Sequence, residues 1–95
     1  MAAYLIVDIE VTNPADFEEY RQGVPATLDR YGGQYIVRGG RTETLEGSWE
    51  PKRIVVLEFP DRAAAKAWWS SPEYAELKAL RQSSARTELV LVDGI

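Results

Sequence analysis

Residues 3–11, AYLIVDIEV, alternate between two sets: Leu5, Val7, Ile9 and Val11 on one side, Tyr4, Ile6, Asp8 and Glu10 on the other. A period of two is the geometry of a β-strand with one clean apolar face. Such a strand must sit in a sheet whose apolar face another layer covers. The next residues, TNPADFEEYRQGVPATLDRYGG, supply that layer as a helix, with Asn13 as N-cap, Pro14 at the first helical position and Asp16 near the positive end of the helix dipole. Phe17, Tyr20, Val24, Leu28 and Tyr31 recur at spacings of three and four and form a stripe that can lie on the sheet. Pro25 cannot donate to the carbonyl of Arg21 and disfavours helical geometry at Val24, so a kink or break is expected there. Gly32-Gly33 suits a left-handed cap.

A second strand is expected in QYIVRGGRTETLEG, with a bulge or bend at Gly39-Gly40. After a loop holding Ser48 to Lys52, RIVVLEFP reads as a third, mostly buried strand closed by Pro60. DRAAAKAWWS is a helix capped by Asp61, and SPEYAELKALRQ restarts with Ser71 as cap and Pro72 at the first position, so this helical region falls into two pieces. TELVLVDGI is a fourth strand. The order β-α-β-β-α-β points to an α+β, ferredoxin-like antiparallel sheet in a single domain over residues 1–95, with the helices on one face. The other face would carry Ile6, Ile36, Ile54, Val56, Leu89 and Leu91. So broad an apolar patch predicts a partner sheet, and a chain of 95 residues has little surface to bury alone.

Composition narrows the chemistry. There is no cysteine and no histidine, which removes disulfides, thiolate nucleophiles, imidazole bases and the usual soft metal ligands. No loop carries the alternating acidic pattern of a calcium site, no Ser-x-x-Lys pattern occurs, and Gly39-Gly40 is not followed by the helix that would present amides to a phosphate. The net charge is −4 and no basic stripe occurs, so nucleic acid is not an expected partner. The first apolar run contains Asp8 and Glu10 and is too short to span a bilayer, so no membrane partner is expected and a cytoplasmic location follows.

The segments YLIVDIEVTNP, YGGQYIVRGG, LEGSWEPKRIVVLEFP and SPEYAELKALR, with the lengths between them, resemble over nearly the whole chain a family of dimeric α/β-barrel proteins, the domain of unknown function DUF1330. The resemblance implies a homodimer in which two four-stranded sheets pack face to face into a barrel with the helices outside. It implies no known reaction. The wider superfamily to which the chain is similar includes cofactor-independent monooxygenases, lactone isomerases and haem enzymes, and shared fold is an analogy for function. The haem branches generally rely on histidine, so no cofactor is expected in a chain without it.

By strand parity Asp8, Arg38 and Glu58 share the second face, and in a sheet ordered 4-1-3-2 Glu58 could reach Arg38 on one side and Asp8 on the other. One reading is a site where Arg38 grips an anionic or carbonyl oxygen and a carboxylate, Glu58 or Asp8, moves a proton. The other is an ion pair that fixes strand register and dimer geometry. Trp49 stands in a loop where no periodicity demands an apolar residue; it either covers a pocket or anchors the loop. Arg53 and Lys52 beside it could steer an anion. Trp68 and Trp69 cannot both face one side of a helix. Tyr20 and Tyr74 are core residues by their spacing, and their hydroxyls could also line a cavity between helices and sheet, where related enzymes are thought to hold substrates. Two functions follow: a small-molecule-binding protein, whose chemistry as an enzyme would be cofactor-independent proton transfer or monooxygenation of an aromatic or carbonyl substrate, or a non-catalytic dimeric module whose polar cluster sets assembly.

Overall fold

β1 (Ala3–Val11) is the strand that the alternation predicts, with Ala3, Leu5, Val7 and Ile9 buried and the intervening residues not. The computed structural model describes residues 1–95 in full. After β1 come α1 (Pro14–Arg30), β2 (Gln34–Arg38), β3 (Ile54–Phe59), α2 (Arg62–Trp69), α3 (Pro72–Ser84) and β4 (Ala85–Asp93). The strands form one antiparallel sheet in the order β2-β3-β1-β4, the expected order read from its other edge. The helices pack on the face that carries Leu5, Val7, Ile9, Val55, Leu57 and Phe59. Two layers give a slab of 36 × 35 × 17 Å. No helix is long and apolar enough to cross a membrane.

The caps act as expected. Asn13 accepts from the Asp16 amide at 3.2 Å, Asp61 from Ala64 at 2.8 Å and Ser71 from Tyr74 at 3.2 Å, each satisfying an amide that the helix itself cannot. Ser70 and Ser71 separate α2 from α3, so the helical region is in two pieces. Trp68 is 1% exposed and stacks on Tyr74 with ring centroids 3.9 Å apart, whereas Trp69 faces outward under the ammonium of Lys78. Full burial of side chains such as Trp68 and Phe59 contributes about 1.5–3 kcal/mol each. These two rings hold α2 to the sheet.

Three expectations need correction. α1 runs through Pro25 without a break; the proline side chain is exposed, while Val24, Thr27 and Leu28 around it are buried, so packing on the sheet holds the helix together. β2 ends at Arg38 and does not continue past Gly39, which turns the chain at φ 72°. Leu89 and Leu91 lie opposite Val7 and Leu5 and pack against the core, so they belong to the helix face. The residues of β4 on the open face are Val90 and Val92, opposite Ile6 and Tyr4 and 57% and 43% exposed. A run of four apolar residues, LVLV, carries no parity signal, and the error arose there.

Candidate ligand-binding cavity

The placement of Arg38 is decided by one inserted residue. Gln34 lies opposite Glu58 and Tyr35 opposite Leu57, but Val37 then lies opposite Val56 and Arg38 opposite Val55. Ile36 is the extra residue of a bulge, three positions before the bend expected at Gly39-Gly40. A bulge moves every later side chain to the other face. Arg38 therefore shares the helix face with Val55 and not, as parity implied, the face of Glu58 and Asp8. Its guanidinium sits 4.4 Å over the ring of Tyr35.

Between the helices and this face lies a partly enclosed cavity of ≈ 30 Å³. Its apolar walls include Val7, Val24, Val55, Leu57 and Trp68. Its polar groups are Tyr20, Tyr35 and Tyr74 with Arg21, Arg38, Arg53 and Arg81, and no acidic residue lines it. Tyr20 and Tyr74 come from facing sides of α1 and α3, and their hydroxyls are 2.8 Å apart. Arg81, about two helical turns further along α3, donates from Nε to the Tyr74 hydroxyl at 3.2 Å and from Nη1 to Thr87 Oγ1 at 2.6 Å. A guanidinium, a phenol and a second phenol thus form a buried chain along the cavity. Burial and the neighbouring Tyr74 hydroxyl push the Tyr20 phenol well above its ordinary value. It stays protonated, a neutral hydroxyl that can donate or accept in its bond with Tyr74, and does not act as a base. Burial likewise raises Tyr35, against the opposing effect of Arg38.

The other predicted residues are elsewhere. Asp8 and Glu58 are both on the open face, but Glu58 is level with Tyr4, four positions along β1 from Asp8. That is about 13 Å. The Asp8–Arg38–Glu58 cluster does not form within the chain. Glu58 accepts from Gln34 Nε2 at 2.7 Å and holds the Tyr4 hydroxyl above its ordinary value through a hydrogen bond. Asp8 accepts from the Trp49 indole at 3.0 Å and from the amides of Lys52 and Arg53 at 3.0 and 3.3 Å. Burial on its own would raise the Asp8 carboxyl, but these donors outweigh it and hold the group below its usual range. Trp49 is 61% exposed and anchors the 39–53 segment to its own sheet, away from the cavity. Of the predicted set, Arg38, Arg53, Tyr20 and Tyr74 come together.

Sequence reasoning missed Arg81, Arg21, Tyr35 and Trp68. A signal for Arg81 was available: Tyr74, Leu77 and Arg81 recur at spacings of three and four, so a charge stands on the apolar stripe of α3. Two larger concavities are more open. One, of ≈ 250 Å³, is wholly polar and lies along Asp8, Glu10 and Arg86; the other, of ≈ 330 Å³, lies between Trp69 and Leu91. Neither has convergent buried polar groups.

Fold and cavity define an α+β protein of the ferredoxin-like class with a small, partly enclosed pocket between its layers. The model of the family described as a domain of unknown function, DUF1330, matches residues 2–95, and the chain belongs to that family. Its fold is shared with a protein of unknown function from Rhodopseudomonas palustris, 16% identical, with a TM-score of 0.81 over 99% of this chain and 82% of that one. It is shared with a dimeric ferredoxin-like protein of unknown function from Jannaschia sp. CCS1, 18% identical, with a TM-score of 0.66 over 99% of this chain and all of the other. A third similar structure is SnoaB, a cofactor-independent oxygenase from Streptomyces nogalater, 16% identical, with a TM-score of 0.66 over 99% of this chain and 93% of that one. None of the curated proteins matches the chain.

Proposed function

We propose that the protein is a homodimer that binds a small molecule in the cavity between α1, α3 and the sheet, and that it acts there without a cofactor on an aromatic or carbonyl compound, by proton transfer or monooxygenation. The observation that carries this reading is the buried Arg81–Tyr74–Tyr20 chain in a cavity whose remaining walls are mainly apolar and carry no acidic residue. Convergent hydrogen-bonding groups beside an apolar wall are what a bound carbonyl needs: hydrogen bonds aimed at its oxygen stabilise negative charge there, and, since no acidic side chain lines the cavity, a proton leaving an adjacent carbon would pass to water. The description of SnoaB as a cofactor-independent oxygenase supports the reaction class by analogy of fold. Homodimerisation is supported by the open apolar face and by the Jannaschia protein's being described as dimeric.

In this reading Asp8 and Glu58 act outside the cavity: Asp8 anchors the 39–53 segment and Glu58 orders the open face. The second reading, a non-catalytic dimeric module, draws on the same two residues, since their face is the one a partner sheet would cover. A thermal-shift screen of lactones, quinones and aromatic acids separates the two. A ligand at about 100 times its dissociation constant stabilises by about 2.7 kcal/mol. A shift that Tyr20→Phe diminishes while circular dichroism stays unchanged supports the cavity. A flat response across the screen favours the module.

A further inference from the structure

The chain has fifteen acidic residues against eleven basic ones, an excess from which every arginine could draw a partner. Five arginines do so: Arg21, Arg30, Arg41, Arg62 and Arg86 each lie within 4.0 Å of a carboxylate. The three left without one are Arg38, Arg53 and Arg81, and all three line the cavity. They reach it from β2, from the residue just before β3 and from α3.

Arg81 is 4% exposed, and two of its five N–H donors have protein partners, both neutral hydroxyls. The Nε of Arg53 is buried with no partner at all. Its guanidinium occupies space left by Gly39, where a Cβ would come within 2.9 Å of Cζ. Removing a guanidinium from water without a counter-ion costs several kcal/mol, and arginine cannot escape by losing its proton. A fold that gathers three guanidiniums without carboxylate partners around an acid-free cavity, Arg81 buried and Arg53 half-buried, has left the counter-ion of those two to be supplied from outside.

We infer that the cavity is built for an organic anion: a planar carboxylate or enolate head group seated against Arg81 and Arg53, on an apolar body that extends past Tyr35 to Arg38 and Arg21 at the more exposed end. This rests on the cavity reading above and adds the charge of its ligand. A volume of ≈ 30 Å³ holds a head group but not a ring, being room for about two water molecules. The body therefore lies toward Arg38, the exposed member of the set, where an aromatic ring can replace the contact that Tyr35 now makes with the guanidinium. Planar, paired oxygens fit the fork of a guanidinium.

Matched ligands test this at constant ionic strength: benzoate and salicylate, their amides and methyl esters, and inorganic phosphate, followed by calorimetry and by amide shifts near Tyr20 and Tyr35. The carboxylates are expected to bind at least about ten-fold more tightly than the amides or esters. Arg53→Met and Arg38→Met, which unlike Arg81→Met do not empty a fully buried site, are expected to erase that preference while the circular dichroism spectrum is retained. If amides and esters bind the same residues as tightly as the acids, the anion is wrong and the cavity reading stands. Binding of phosphate but not of carboxylates overturns the planar head group. Folded arginine variants that keep the full preference overturn the role of these side chains. If no member of the set binds, the anion inference and the cavity reading fall together.

Discussion

At the scale of single residues, the two tyrosines of the buried chain are not equivalent. Tyr74 accepts from Arg81 and shares a hydrogen bond with Tyr20, so Tyr74→Phe leaves both partners short, whereas Tyr20→Phe removes one contact. Leaving buried groups unpaired costs about 1–3 kcal/mol and losing one ordinary hydrogen bond about 0.5–1.5 kcal/mol. Urea unfolding should therefore rank Tyr74→Phe as the less stable variant; the reverse order would mean that Arg81 does not depend on Tyr74. Asp8 supplies a pH test. Its carboxyl is held below the usual range, so the native state favours the ionised form. The stability that it contributes is complete above the ordinary aspartate value, about pH 3.9, and is lost as pH falls through the lower native value. The amide resonances of Lys52 and Arg53, which donate to this carboxylate, should titrate with a midpoint below 3.9. Asp8→Asn should remove that titration, and its survival in the variant would assign it to another group.

At the scale of elements, the joints are narrow and each depends on one or two side chains. Gly33, between α1 and β2, lies so close to the core that a Cβ would come within 2.6 Å of the Phe59 ring and 3.0 Å of Leu28. Phe59 is 1% exposed and packs on Trp68, so it has nowhere to retreat. Gly33→Ala should lower stability by about 1–3 kcal/mol, as overpacking does, read as a drop in melting temperature. Pro25 is the opposite case. It is exposed inside α1 and removes a helical hydrogen bond, so Pro25→Ala should raise the melting temperature. A fall would show that the proline's restriction of the unfolded chain outweighs the strain in the helix.

At the scale of the whole molecule, a slab 17 Å thick has one covered face and one bare one. Tyr4, Ile6, Ile54, Val56, Val90 and Val92 make the bare face apolar at its centre. Ionic and polar groups, Asp8, Glu58 and Glu88, stand toward its ends. Sedimentation should find a dimer at micromolar concentration, and the melting temperature should rise with protein concentration, as mass action requires. Val90→Asp, on the solvent side of β4, should shift the protein toward monomer without harming the core. An unchanged sedimentation profile in that variant would move the interface elsewhere.

The sequence by itself determined the elements, their order and their caps. Those depend on neighbours within a few residues, as with Asn13 and Asp16 or Ser71 and Tyr74, and on a period that a burial requirement imprints on the chain. It also determined which half of β1 faces the core, because Asp8 and Glu10 break the apolar run. What it left open was facing wherever that period fails. In β4 the run LVLV is apolar on both sides, and only pairing with β1 sent Leu89 and Leu91 inward and Val90 and Val92 outward. In β2 the extra residue at Ile36 reversed Arg38, carried it away from Glu58 and Asp8, and placed it with Arg53 and Arg81. A bulge is set by the strand across from it, and a counter-ion's absence by every side chain within reach. Both are sums over residues far apart in the chain, so the sequence names the arginines and the tertiary structure alone decides that they meet around one cavity with no acid lining it.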